Sequence, residues 1–121
     1  MEYLTDYQED LAQLMKTAIR KVIAQGKRSY IKGYCLYRGP EGTKCAIGHL
    51  IPDELYTRDI EGKNIYAALT DLKIQLPAKI RRELGRLQWC HDVCKLPDTF
   101  VEDFTARVKN NLPKEYWPDE L

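Results

Sequence analysis

The chain has 121 residues, with 19 basic against 18 acidic side chains and a formal net charge of +1. That length suits one compact domain over 1–121 with a core that needs no staples. Near-neutrality excludes the general footprint of a nucleic-acid binder, whose affinity rests on Lys and Arg set against phosphates.

No apolar run approaches the roughly 18–20 residues of a membrane span, so no membrane partner is expected. The opening MEYLTDYQEDL has neither a basic leader nor an apolar stretch, which predicts no signal peptide and a cytoplasmic location. In that compartment the four cysteines read as free thiols or metal ligands and not as disulfides.

In chain order, Thr5 and Gln8 have capping-box spacing. Tyr7, Leu11, Leu14, Met15, Ala18, Ile19, Val22 and Ile23 then recur at steps of three and four, which predicts an amphipathic core helix stopped by Gly26. Met15 in that stripe is a gap filler. The run Tyr30 to Arg38 is aromatic and β-branched, and Gly39-Pro40-Glu41-Gly42 is turn chemistry. A hairpin pairing Tyr30–Arg38 with Thr43–Ile47 is expected, with two registers open: Leu36 facing Cys45, or Cys35 opposite Cys45.

Pro52 to Tyr56 reads as a short helical turn begun by proline, and Thr57 to Lys63 as a polar loop. Asn64 can cap a short helix through Leu72. Pro77 opens the next helix, whose apolar stripe is Ile80, Leu84, Leu87, His91 and Cys94, with Lys79, Arg82 and Arg86 on the solvent face. Asp98 can cap a last helix carrying Phe100, Val101, Phe104 and Val108 inside, stopped by Asn110-Asn111-Leu112-Pro113. Tyr116 and Trp117 should fold back as anchors. The fold class is mainly α: about four helices plus a helical turn, with one two-stranded hairpin packed on them.

Chemistry concentrates between Cys35 and Gly62 and around His91. Cys35, Cys45 and His49 form one cluster, and Cys90, His91 and Cys94 another; thiolate and imidazole are zinc's ligand types. The Cys-x9-Cys spacing lacks a zinc knuckle, so no cofactor is the leading expectation and a structural zinc module the alternative. His91 sits on an apolar stripe and needs a polar partner or a pocket. Asp92 points about 100° away around the helix and is a poor orienter for it. A cysteine nucleophile paired with either histidine lacks any flanking oxyanion-hole sequence, and no catalytic set is legible. The glycines of Gly39-x-x-Gly42 and Gly48 match no phosphate loop and are assigned to turns. Tyr37, Arg38, Lys44, His49, Glu61 and His91 are the candidate contacts for a small molecule or nucleotide, bound or hydrolysed where the 35–62 stretch meets His91.

The run Gly42-Thr43-Lys44-Cys45-Ala46-Ile47-Gly48-His49-Leu50-Ile51-Pro52-Asp53-Glu54-Leu55-Tyr56, then Glu61-Gly62, then Leu84-x-x-Leu87-Gln88-x-x-His91-Asp92, together with Gln25-Gly26-Lys27-Arg28-Ser29, resembles a group of small uncharacterised proteins of bacteria, prophages and phages. The likeness spans the first helix to the last. It brings no activity, cofactor or catalytic residue with it. It implies an accessory protein of a phage or mobile element, of the kind that binds a host protein, as an inhibitor or modulator of host or defence functions, or a small signalling molecule.

Overall fold

The computed structural model describes residues 3–7 and 10–121. Four helices carry the body: α1 (Leu11–Gln25), α2 (Ile65–Asp71), α3 (Ala78–Asp92) and α4 (Phe100–Asn111). A two-stranded antiparallel sheet, β1 (Tyr30–Ile31) and β2 (Tyr34–Cys35), lies between α1 and the central loops. Among the described residues no helix is long and apolar enough to cross a membrane.

Helix α1 starts later than the capping-box reading places it. Thr5 lies in a separate 3-10 turn, Leu4–Asp6, and Gln8 is outside the described residues. The cap is Asp10, whose carboxylate accepts from the Gln13 N–H at 3.1 Å. Leu14, Met15, Ala18, Ile19 and Val22 are fully buried, and Gly26 ends the helix in the left-handed region, as its position predicts. Asn64 caps α2 by accepting from the Ala67 N–H, and Pro77 immediately precedes α3. At α4 the cap position is Thr99 instead of Asp98, because Pro97–Thr99 form a 3-10 turn ahead of the helix.

Phe100 and Phe104 stack at 6.0 Å in the core, where α4 packs on α3, whose Leu84 and Leu87 are fully buried. Complete burial of each such side chain contributes about 1.5–3 kcal/mol. The tail folds back as expected: the turn Lys114–Tyr116 packs on α1, and Trp117 donates its indole N–H to the Leu112 carbonyl at 3.0 Å.

The hairpin is where the chain departs most from its pattern. The expected first strand folds on itself. Lys32 and Gly33 both take positive φ, 48° and 90°, and form a two-residue turn that pairs Tyr30 with Cys35 and Ile31 with Tyr34. The expected pairing with Thr43–Ile47 shrinks to a single bridge, Arg38 with Lys44, so neither proposed register of Cys45 occurs. The cause lies at Gly48. Gly48–Leu50 form a 3-10 turn, flanked by the buried Ala46, Ile47 and Ile51, with Gly48 against Tyr37, and the segment cannot also run as a strand. Pro52–Tyr56 forms successive turns, and Arg58–Ile60 a 3-10 turn that drives Ile60 into the core.

Candidate functional site

The junction of the Cys35–Gly62 stretch with α3 is held by a relay of hydrogen bonds. His91 is fully buried, and its Nε2 accepts from the Ser29 backbone N–H at 3.1 Å. A nitrogen that accepts must carry its lone pair, so the ring proton sits on Nδ1 and is donated to Asp92 Oδ1 at 2.8 Å. Asp92 therefore does orient His91, contrary to expectation. It is the last residue of α3, where the side chain is free to bend back along the helix end, and the 100° offset of the Cβ atoms does not prevent contact.

The same Oδ1 accepts from Gln88 Nε2 at 2.7 Å, while Gln88 Oε1 accepts from the Ile47 N–H at 2.9 Å. The Asp92 carbonyl takes Arg28 at 3.3 Å and the Cys35 thiol at 3.9 Å. Five side chains at the end of α3 and around the hairpin, Gln88, His91, Asp92, Arg28 and Cys35, thus fix the hairpin and the 45–50 turn at once.

This relay borders a cleft of about 570 Å³. One wall is Gly33–Tyr37, the second is Gly62–Tyr66, and the floor is Gly85, Gln88 and Asp92 of α3, with Trp89 beside it. Tyr34 is 73% exposed, Trp89 44% and Tyr66 42%. These aromatics stand at the rim.

Of the six residues expected to contact a ligand, only Tyr37 lines the cleft, and its hydroxyl already donates to the Lys63 carbonyl at 2.8 Å. Glu61 is a clamp. Its Oε1 accepts from the Tyr37 N–H at 2.8 Å, and its Oε2 from the Arg38 N–H at 3.0 Å and the Tyr56 hydroxyl at 2.6 Å. Arg38 binds Asp53 and the Ile51 carbonyl, both at 2.7 Å, and Lys44 reaches Asp53 at 3.7 Å. His91 belongs to the relay. His49 has a buried Nε2 with no hydrogen-bond partner among the described residues.

The six candidate metal ligands do not gather into one site. Among the described residues, the group whose donor atoms come within 4.8 Å of one another is Cys35, His91 and Asp92. Cys45 accepts from the Gly48 N–H, and the Cys94 thiol donates to the Cys90 carbonyl within the last turn. Burial pushes the Cys35 and Cys90 thiols up to about 11, and raises Cys45 and Cys94 as well. A metal on His91 Nδ1 would require the ring proton on Nε2, facing the Ser29 N–H donor, so ligation there breaks the relay. The same bond removes the lone pair with which His91 could accept a proton from Cys35, which argues against a thiol nucleophile at this position.

No protein-family model, curated protein or solved structure matches the chain.

The residues missed by sequence reasoning are Tyr66, Gly85, Gln88 and Trp89. A signal existed for Trp89: it stands one turn from Gly85, off the apolar stripe, a large aromatic on an otherwise polar flank.

His49 yields a pH prediction. Burial, then the Lys44 charge, push its imidazole down to about 4 from an ordinary 6.5. The unfolded chain takes up this proton as the pH falls below 6.5, whereas the folded chain does so only near 4, so stability is lost across that window as pH falls. The ring is partly exposed, which limits the loss to on the order of 2 kcal/mol. The loss should be absent in His49→Gln, read by urea unfolding at stepped pH. Parallel pH profiles for the two proteins would show that His49 is not the cause.

Proposed function

We propose that this is a binding protein, not an enzyme, and that the cleft between the hairpin and α3 receives a segment of another protein. One observation carries the reading. Of the six large apolar side chains exposed among the described residues, three (Tyr34, Tyr66 and Trp89) border this single cleft. Tyrosine and tryptophan are the side chains that dominate protein interfaces, where a rigid ring removes much apolar surface from water at low entropic cost. The polar groups around them are engaged in holding the hairpin, which supports a role as scaffold and leaves the aromatics as the contacting surface. The resemblance to phage and prophage proteins makes a host protein the natural class of partner.

A photoreactive residue at Tyr34 in the full chain, irradiated in cells, tests this. The captured protein, once purified, should bind the wild-type chain and lose at least about tenfold in affinity on Trp89→Ser, with circular dichroism and urea unfolding checking that the variant is folded. Equal binding to both forms would sink the reading.

A small signalling molecule is the second reading, favoured by the volume of the cleft, which lies in the usual range for such sites, about 300–1,000 Å³. A compound released in stoichiometric amount on denaturing the purified protein would decide for it.

A further inference from the structure

The cleft has a continuation on the far side of α3. A second hollow of about 420 Å³ is lined by Tyr66, Arg82, Gly85, Arg86, Trp89 and Asn111. It shares Tyr66, Gly85 and Trp89 with the first, so the two meet over the bare backbone of Gly85 between two aromatic posts. The two ends differ in charge. At the hairpin end stands Asp92, its Oδ1 already bonded to Gln88 and His91. At the far end Arg82 and Arg86 lie one turn apart, both exposed.

Arg82 has no ion-pair partner among the described residues, and Arg86 meets only Glu83, at 3.7 Å. Two further guanidinium groups lie over the posts: Arg81 over Tyr66 at 5.3 Å and Arg107 over Trp89 at 5.4 Å. Two arginines therefore line one half of the groove, and two more back its aromatic posts, in a chain whose net charge is +1.

Resting on the protein-binding reading above, we infer that the partner segment is acidic and apolar-anchored: one large apolar side chain seats over Gly85 between Tyr66 and Trp89, and its neighbouring carboxylates meet Arg82 and Arg86. Guanidinium forks match carboxylates bidentately, which suits the exposed Arg82 and Arg86 to acidic neighbours of the anchor. Single-stranded nucleic acid uses the same residue types differently, by stacking bases on open ring faces. Here each ring already has a cation over one face, which leaves that face unavailable to a base. At the hairpin end Lys63 is already paired with Asp71, so the exposed guanidinium groups lie at the far end and give the bound segment a direction.

The test is a selection of random linear peptides on the immobilised full chain, followed by affinity measurements on synthetic copies of the winners. Expected winners carry two or more acidic residues next to one aromatic or large aliphatic residue. They should lose at least about tenfold in affinity on the double variant Arg82→Glu, Arg86→Glu, and also as salt is raised. Winners that are uncharged or basic, unaffected by the double variant yet lost on Trp89→Ser, would overturn this inference and leave the protein-binding reading standing. Failure to enrich any sequence above the Trp89→Ser control would overturn both. A single-stranded oligonucleotide that binds more tightly than the acidic peptides, and is lost on the double variant, would overturn the inference in favour of nucleic acid.

Discussion

Glu61→Ala should destabilise the protein by about 4 kcal/mol, a larger loss than any surface substitution. The carboxylate accepts from two consecutive backbone N–H groups, Tyr37 and Arg38, and from the Tyr56 hydroxyl. Bonds to an ionised acceptor are stronger than neutral ones, and each part-buried donor left bare costs about 1–3 kcal/mol. Water reaching the vacated space recovers some of the three, hence the intermediate figure. Glu61→Gln keeps one acceptor oxygen but turns an N–H toward groups that are themselves donors, so about half the loss is expected there. Urea unfolding at neutral pH measures both.

A second readout distinguishes this clamp from a general packing role. Burial, then the bond to Glu61, push the Tyr56 hydroxyl up to about 12, and its titration, followed by ultraviolet absorbance, should move back toward 10 in the alanine variant. A loss of stability under about 1 kcal/mol, with no movement of the tyrosine titration, would mean that Glu61 is not holding these donors.

Gly48→Ala should cost about 3 kcal/mol and lower the melting temperature by on the order of 10 °C. A Cβ at Gly48 would lie 2.1 Å from the Tyr37 carbonyl oxygen and 3.3 Å from its Cα. The obstacle is backbone, itself fixed through the Tyr37 N–H on Glu61, so it cannot swing aside as a side-chain tip would. Calorimetry on the variant checks this. Melting within about 2 °C of the wild type would show that the 45–50 turn is free to withdraw from Tyr37.

Gly48 also marks the limit of what was legible in the sequence. The helices were open to reading because their cues are local: the stripe of α1, the Asn64 cap, Pro77 ahead of α3, the Asn-Asn-Leu-Pro stop and the returning tail all act within a few residues. The hairpin depended on facts at a distance. Gly39 and Gly48 do stand at the start of 3-10 turns, as assigned, but neither takes the positive φ for which a turn selects glycine. A Cβ at Gly39 would meet Ser29 Oγ at 2.4 Å, so both are glycines of close approach. The true turn uses Lys32, a residue type with no preference for the left-handed region, and only the tertiary setting selects it.

The site was half legible for a related reason. The stretch from Cys35 to Gly62 does meet α3 at His91, as anticipated. Its polar residues, read as ligand contacts, already spend their hydrogen bonds within the fold, since buried polar groups satisfy one another first. Arg38, Glu61 and His91 hold backbone, and the groups left facing outward are aromatic ones.

Gly85 carries a consequence of another kind. Glycine inside a helix is less stable than alanine by roughly 0.5–1 kcal/mol, through the freedom that the unfolded backbone must surrender. A methyl group here would meet nothing closer than Ile65 Cγ2 at 3.6 Å, an ordinary contact, so the helix interior makes no demand for glycine at this position. Against a total margin of about 5–15 kcal/mol for a domain, α3 forgoes a measurable share of its possible stability. It does so at the one turn where the two hollows join, trading rigidity for open ground.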